Sequence, residues 1–193
     1  VAGSLLALGL GALFVVGAVM GFQHEMEKSR AVKADTLAVP FSESYATTNG
    51  LLTARYPADF AAKKLDASTL LLSRNLGGGE DEALTLAALS DPITDDPHEL
   101  ARLLWDSHDK NVTSKQGTFT KTGNRDAKCA GKYPGVELEG TFTLPGRAAY
   151  TSKGCFWVHN NRAYELRYDV SSSRSAEEVP LLDRIINATE LAP

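Results

Sequence analysis

Three observations on the sequence predict an α+β fold. Residues 136–144 and 164–170 alternate apolar and polar side chains with a period of two, the mark of strands with one dry face. Residues 95–99, Asp-Asp-Pro-His-Glu, open a helix, and residues 181–186 carry an apolar stripe at helical spacing. Ahead of both lies an uncharged apolar run over residues 5–22, long enough for a membrane-spanning helix, which needs about 20 residues. The predicted organisation is a transmembrane helix over residues 1–22, a stalk and linker over 23–49, and a folded domain over 50–193.

The run LLALGLGALFVVGAVMGF is longer than the core of a cleaved signal peptide, about 7 to 15 residues. It passes straight into Gln23, His24, Glu25, Glu27 and Lys28 without a good cleavage site, which favours an uncleaved single-pass anchor. Lys28, Arg30 and Lys33 behind it would, taken alone, place the following domain inside the cell. The cysteines argue the other way. A chain that exits through a membrane enters an oxidising space, where Cys129 and Cys155 are expected to form a structural disulfide; two buried free thiols in a cytosolic protein are the alternative. Gly17 and Gly21 have the G-x-x-x-G spacing, and Gly3, Ala7 and Gly11 repeat small residues at the same interval. One helical face would then let a neighbouring helix approach closely, although glycine is common in membrane helices that pack against nothing.

The 193 residues leave a single domain of ordinary size after the anchor. A net charge of -4 argues against a nucleic-acid binder, which needs a basic face to displace counterions from phosphate. Residues 23–34 are rich in helix formers and read as a helical stalk, whereas Pro40, Ser42, Ser44, Thr47, Thr48 and Asn49 mark a linker. Residues 51–56 read as a strand stopped by Pro57. Residues 68–76 and 83–89 pair as a hairpin across Gly77, Gly78 and Gly79, which lack the Lys-Ser/Thr of a phosphate loop.

In the helix signal, Asp96 caps, Pro97 takes the first helical position and Glu99 reaches back to the cap amide. The helix is expected to run to residue 109 with Leu100, Leu103, Leu104 and Ser107 on its buried side. His98, Asp106, His108 and Asp109 lack the i, i+4 histidine pair that grips a metal, so they read as a solvated face. A polar strand over 112–122 and a loop over 123–133 carrying Cys129 lead into an antiparallel meander of residues 136–144, 148–158 and 164–170, turned at Pro145-Gly146 and Asn160-Asn161. The last helix is expected to start near Val179, with Pro180 in its first turn and Leu181, Leu182, Ile185 and Ile186 as its apolar stripe. Asn111-Val112-Thr113 and Asn187-Ala188-Thr189 match the N-glycosylation pattern.

The strand running into Arg55-Tyr56-Pro57-Ala58-Asp59-Phe60, the helix after a pair of strands, the closing Ala163-Tyr164-Glu165-Leu166 strand and the final Leu182-Asp183-Arg184-Ile185-Ile186 helix resemble the PsbP-like superfamily over residues 50–191. That group includes the extrinsic oxygen-evolving-complex protein of photosystem II, a Ran-binding nuclear import factor and bacterial periplasmic lipoproteins. The resemblance implies an α/β/α sandwich around a mainly antiparallel sheet, and a non-enzymatic docking or assembly role. A membrane anchor and a disulfide depart from the nuclear import member, and no metal or partner-binding residue transfers from the photosystem protein.

No Gly-x-Ser-x-Gly elbow, His-Glu-x-x-His, dinucleotide fingerprint or Walker loop is present. The expectation is a non-enzyme without cofactor. Its function reads as that of an accessory subunit anchored in the lipid bilayer, with an extracytoplasmic domain, periplasmic or extracellular, that docks on an integral membrane protein complex. An extracytoplasmic small-molecule or lipid-binding domain is the alternative, and a hydrolase the third reading.

Overall fold

The structure is a computed structural model that describes residues 39–78, 80–89 and 94–192. The predicted transmembrane helix over residues 1–22, with Gly17 and Gly21, lies outside the described residues. Among those described, no helix is long and apolar enough to cross a membrane.

A seven-stranded antiparallel sheet in the order β3-β4-β5-β9-β8-β7-β6 forms the body of the domain. Its strands are β3 (Ala61–Lys64), β4 (Thr69–Gly77), β5 (Glu80–Leu89), β6 (Thr118–Cys129), β7 (Tyr133–Thr143), β8 (Tyr150–His159) and β9 (Arg162–Ser171). A smaller sheet, β1-β2-β10, joins β1 (Glu43–Ala46), β2 (Leu52–Tyr56) and β10 (Glu190–Leu191). The two helices are α1 (Pro97–Ser114) and α2 (Ser175–Asn187). The predicted meander is present as β7, β8 and β9, and its second turn shows the local chemistry plainly. His159 pairs with Arg162, and Asn160 and Asn161 between them both take positive φ, the two-residue turn whose twist matches the flanking strands.

The helices lie on opposite faces of the sheet. Leu100, Ala101 and Trp105 of α1 pack on Val136, Leu138, Phe156 and Ala163, which alternation and register place on one face of β7, β8 and β9. Gly140 and Gly154 leave room for this helix. A Cβ on either would meet the Trp105 ring, at 3.3 Å and 3.1 Å. The opposite face presents Leu84, Leu86, Leu166 and Tyr168, all buried, on the side of α2, whose Leu181, Leu182 and Ile185 are buried in turn. α2 lies along β9 and also touches β2 of the small sheet.

Several boundaries differ from the sequence reading. The compact unit begins at Pro40, and β1, inside the stretch read as linker, pairs with β2 in register from Glu43↔Tyr56 to Ala46↔Thr53. α1 continues to Ser114, because Val112 packs with Phe142 and Tyr150 and so stays helical instead of opening a strand. Residues 123–129, read as loop, complete β6 at the sheet edge, where a strand exposed on one side need not show apolar alternation. α2 starts at Ser175 with Pro180 inside it; Ser175 Oγ donates to the Ser172 carbonyl at 3.0 Å, and Glu178 is tied to Arg74. The Asp96 cap is present, with Oδ1 accepting from the His98 amide at 2.9 Å. Glu99 does not reach the cap amide: it accepts from the Thr94 hydroxyl, which in turn accepts from the Asp96 amide.

Candidate functional site

Because α1 covers β6 to β8 on one face and α2 covers β9 on the other, the α2 side of β7 and β8 is left open. A groove runs there between α2 and the sheet. One cavity of about 190 Å³ lies toward the helix C-terminus, against Asp183 and Asn187, and another of about 320 Å³ lies toward its N-terminus, against Ala176 and Pro180. Tyr168 and Lys153 line both. A third hollow of about 170 Å³, around Arg125, continues the groove onto the edge strand through Glu137 and Glu139.

The charges follow from the strand pattern. Glu137 and Glu139 occupy the polar side of β7, and register sets Glu137 opposite Cys155 and Glu139 opposite Lys153. Lys153 Nζ lies 3.0 Å from Glu137, Arg125 pairs with Glu137, and Arg125 lies 3.8 Å from Glu139. On the helix wall, burial holds the Asp183 carboxyl above its usual range; Lys153 pulls it back, and Glu137 and Glu139 push it further up. Tyr168 is raised by burial first and by Asp183 next. The groove therefore offers hydrogen-bonding and charged groups on two stiff walls. It lacks the spacing of a metal centre: among the described residues no group of three His, Cys, Asp or Glu side chains could hold an ion.

The disulfide closes one end. Cys129 ends β6, Cys155 lies in β8, and β7 runs between those strands, so flat neighbours two strands apart would stand roughly 9.5 Å apart. Their Cα atoms are 5.6 Å apart and their sulfurs are bonded. The tip of the β6–β7 hairpin is thus folded over the sheet toward α2. Gly135 permits it, since a Cβ there would sit 2.4 Å from the Phe156 carbonyl oxygen and 2.9 Å from Cys129 Sγ.

A second polar cluster lies on the α1 face. Ser152 Oγ donates to Asp169 Oδ1 at 2.5 Å, and His108 Nε2 stands 3.6 Å from that same oxygen. The serine is held by the carboxylate and not by the imidazole, and it is fully buried. His108, expected on a solvated face, is buried among Trp105, Phe119 and Phe142, because at helical spacing it follows Trp105 into the core. A third cluster is structural. Arg74 of β4 binds Asp59 at 2.8 Å, Glu82 at 2.6 Å and Glu178 of α2, while its guanidinium lies over Phe60 at 4.7 Å. Asp59 and Phe60 of the quoted motif therefore help fasten the helix to the sheet.

Of the residues singled out in the sequence, the structure brings together Cys129 and Cys155; Gly17 and Gly21 fall outside the described residues. Lys153, Tyr168 and Asp183 were not foreseen as a site. Glu137 and Glu139 on the wet side of a clean alternation, and Asp183 inside the stripe Leu182-Asp183-Arg184-Ile185, were the available signals.

No protein-family model and no curated protein sequence matches the chain. Solved structures do. Cyanobacterial PsbP (CyanoP) from Synechocystis sp. PCC 6803 is 8% identical with a TM-score of 0.55, over 78% of this chain and 92% of that one. LpqN of Mycobacterium tuberculosis, described as involved in cell envelope biogenesis, is 13% identical with a TM-score of 0.52, over 78% and 90%. The Saccharomyces cerevisiae Ran-binding protein Mog1p is 11% identical with a TM-score of 0.50, over 77% and 94%. At such identities the likeness speaks for the architecture, and that architecture is the PsbP-like fold.

Proposed function

We propose that the chain is a single-pass membrane-anchored accessory protein whose extracytoplasmic domain docks on or stabilises a larger membrane protein complex. The groove along α2 carries this reading. It is open and long, with charged and hydrogen-bonding groups such as Glu137, Lys153 and Asp183 toward one end and the apolar Ala176, Val179 and Pro180 toward the other, a mixed surface of the kind that protein partners bury. The Cys129–Cys155 bond suits an oxidising compartment, and the apolar run over residues 5–22 supplies a tether. The shared architecture with cyanobacterial PsbP and with LpqN, named for cell envelope biogenesis, supports the same view. The burial of Ser152 and its bond to Asp169 support a non-enzymatic role.

The test is recovery of the tagged full chain from its native membranes in mild detergent, followed by mass spectrometry. A constant set of integral membrane proteins in fixed proportion is expected. Recovery of the chain alone, in detergent that preserves other complexes of that membrane, refutes the reading.

A further inference from the structure

A hollow of about 130 Å³ lies on the other side of the sheet, between α1 and the edge strand β6. Its floor is apolar and buried: Ala101 and Trp105 of α1, Val136 and Leu138 of β7. The edge strand explains why the space stays open. Register sets Lys121 opposite Gly140 and Asn124 opposite Leu138, and it shifts between Lys121 and Gly123, a bulge that bends the strand. The polar side chains of β6 therefore border the apolar floor without filling it. One atom of that floor is unsatisfied. Trp105 is 1% exposed, and its indole N–H makes no hydrogen bond among the described residues, although buried tryptophan ordinarily finds a partner. The glycines under the ring give its direction. A Cβ on Gly154 of β8 would meet Cζ3, and one on Gly140 of β7 would meet Cζ2. Nε1 lies on the Cζ2 side of an indole, so the N–H edge is turned away from β8 and toward β6, the strand that walls the hollow. Phe119 packs steeply against this ring at 5.5 Å, and an aromatic face is a weak acceptor.

We propose, independently of the docking reading above, that this hollow binds a small neutral molecule with an apolar body and one hydrogen-bond acceptor, which takes the Trp105 N–H. An indole nitrogen only donates, so the ligand must accept. The floor favours an apolar body, which leaves water on entering. An apolar cavity of about 150 Å³ takes benzene, so 130 Å³ limits that body to about five or six carbons. The mouth selects against charge. His98 is paired with Asp126 at 3.0 Å, Lys121 with Asp106 at 2.5 Å and Arg102 with Asp106 at 3.5 Å. An ionised ligand would find these groups already matched and would lose hydration on entering.

The experiment titrates the 15N-labelled full chain in mild detergent with cyclopentanone, cyclopentane or pentanoate and follows the indole N–H signals of both tryptophans by NMR. Trp157, which alternation along β8 places on the opposite sheet face, is the internal control. Cyclopentanone should shift the Trp105 signal saturably, with a dissociation constant of about 1 mM, and leave Trp157 in place. Cyclopentane, which lacks the acceptor, and pentanoate, which is charged, should bind about fivefold more weakly or worse. Ala101→Leu fills the hollow from the helix and Leu138→Phe from the sheet; each should abolish the shift while the chain stays folded. An unmoved Trp105 signal, a shift shared equally by Trp157, cyclopentane or pentanoate binding as tightly as cyclopentanone, or binding that survives in both folded variants overturns the proposal. Failure of both variants to fold shows that the space is absent and overturns it too.

Discussion

Substituting His108 tests how the buried polar cluster under α1 sets the pH dependence of stability. The imidazole is buried, its two nitrogens make no hydrogen bond, and Phe119 and Phe142 meet it edge-on at centroid distances of 5.3 Å and 5.5 Å. Burial, with Arg167 next, lowers its pKa from 6.5 to about 4, and Asp169 offsets only part of that. A base depressed in this way contributes stability in full above pH 6.5 and loses it as pH falls toward 4. At about 1.4 kcal/mol per pH unit, the difference amounts to about 3 kcal/mol. Glu82 acts with the opposite sign. Burial raises its carboxyl from 4.5 to about 7 against the pull of Arg74, so its contribution is complete below pH 4.5 and is lost as pH rises toward 7. Burial also raises the Glu165 and Asp183 carboxyls, which act with the sign of Glu82, so across the shared window the carboxyls oppose the His108 contribution. His108→Phe keeps a ring in the aromatic cluster and removes the titration. Relative to the native protein the variant should lose about 3 kcal/mol between pH 4 and pH 6.5, measured by urea unfolding with the disulfide intact. Parallel profiles for native protein and variant would show that His108 does not titrate as a buried neutral base.

The remaining predictions concern cross-link, cap and anchor. Replacing Cys129 and Cys155 together with serine opens a loop with a sequence separation of 26, and chain entropy puts the loss at about 3.5 kcal/mol, read as a lower urea midpoint; an unchanged midpoint contradicts the pinning of the hairpin tip. Asp96→Ala removes the acceptor of the His98 amide and should destabilise by about 1 kcal/mol while partner binding persists; lost binding at unchanged stability would place Asp96 in a functional surface. Gly17→Leu with Gly21→Leu keeps residues 5–22 apolar and should weaken co-purification in mild detergent. A double variant that inserts normally and retains every partner assigns all docking to the outer domain.

Features set by local chemistry could be read from the sequence, and features set by distant packing could not. Asp96 and Pro97 announce a helix start because capping needs only the next few amides. Val136, Leu138 and Phe142 announce a strand because one face is dry along its whole length. Val112 is β-branched and reads as strand, but its contacts with Phe142 and Tyr150 hold it helical. β6 is polar on both sides, so its pairing with β7 leaves no periodic trace. β1 hides among serines and threonines, and only β2 makes it a strand. The groove was illegible for a related reason: Glu137, Lys153, Tyr168 and Asp183 come from four elements, and no spacing along the chain announces that they converge.

The most direct test of the account is the side of the membrane on which the disulfide-pinned domain stands. Protease added outside sealed cells or spheroplasts should digest the domain from Pro40 onward without lysis, leaving a membrane-embedded fragment. Non-reducing peptide mapping of the same material should recover Cys129 and Cys155 in one linked pair. A domain that stays intact until the cells are lysed, with both thiols free, would place it in the cytoplasm and contradict the account.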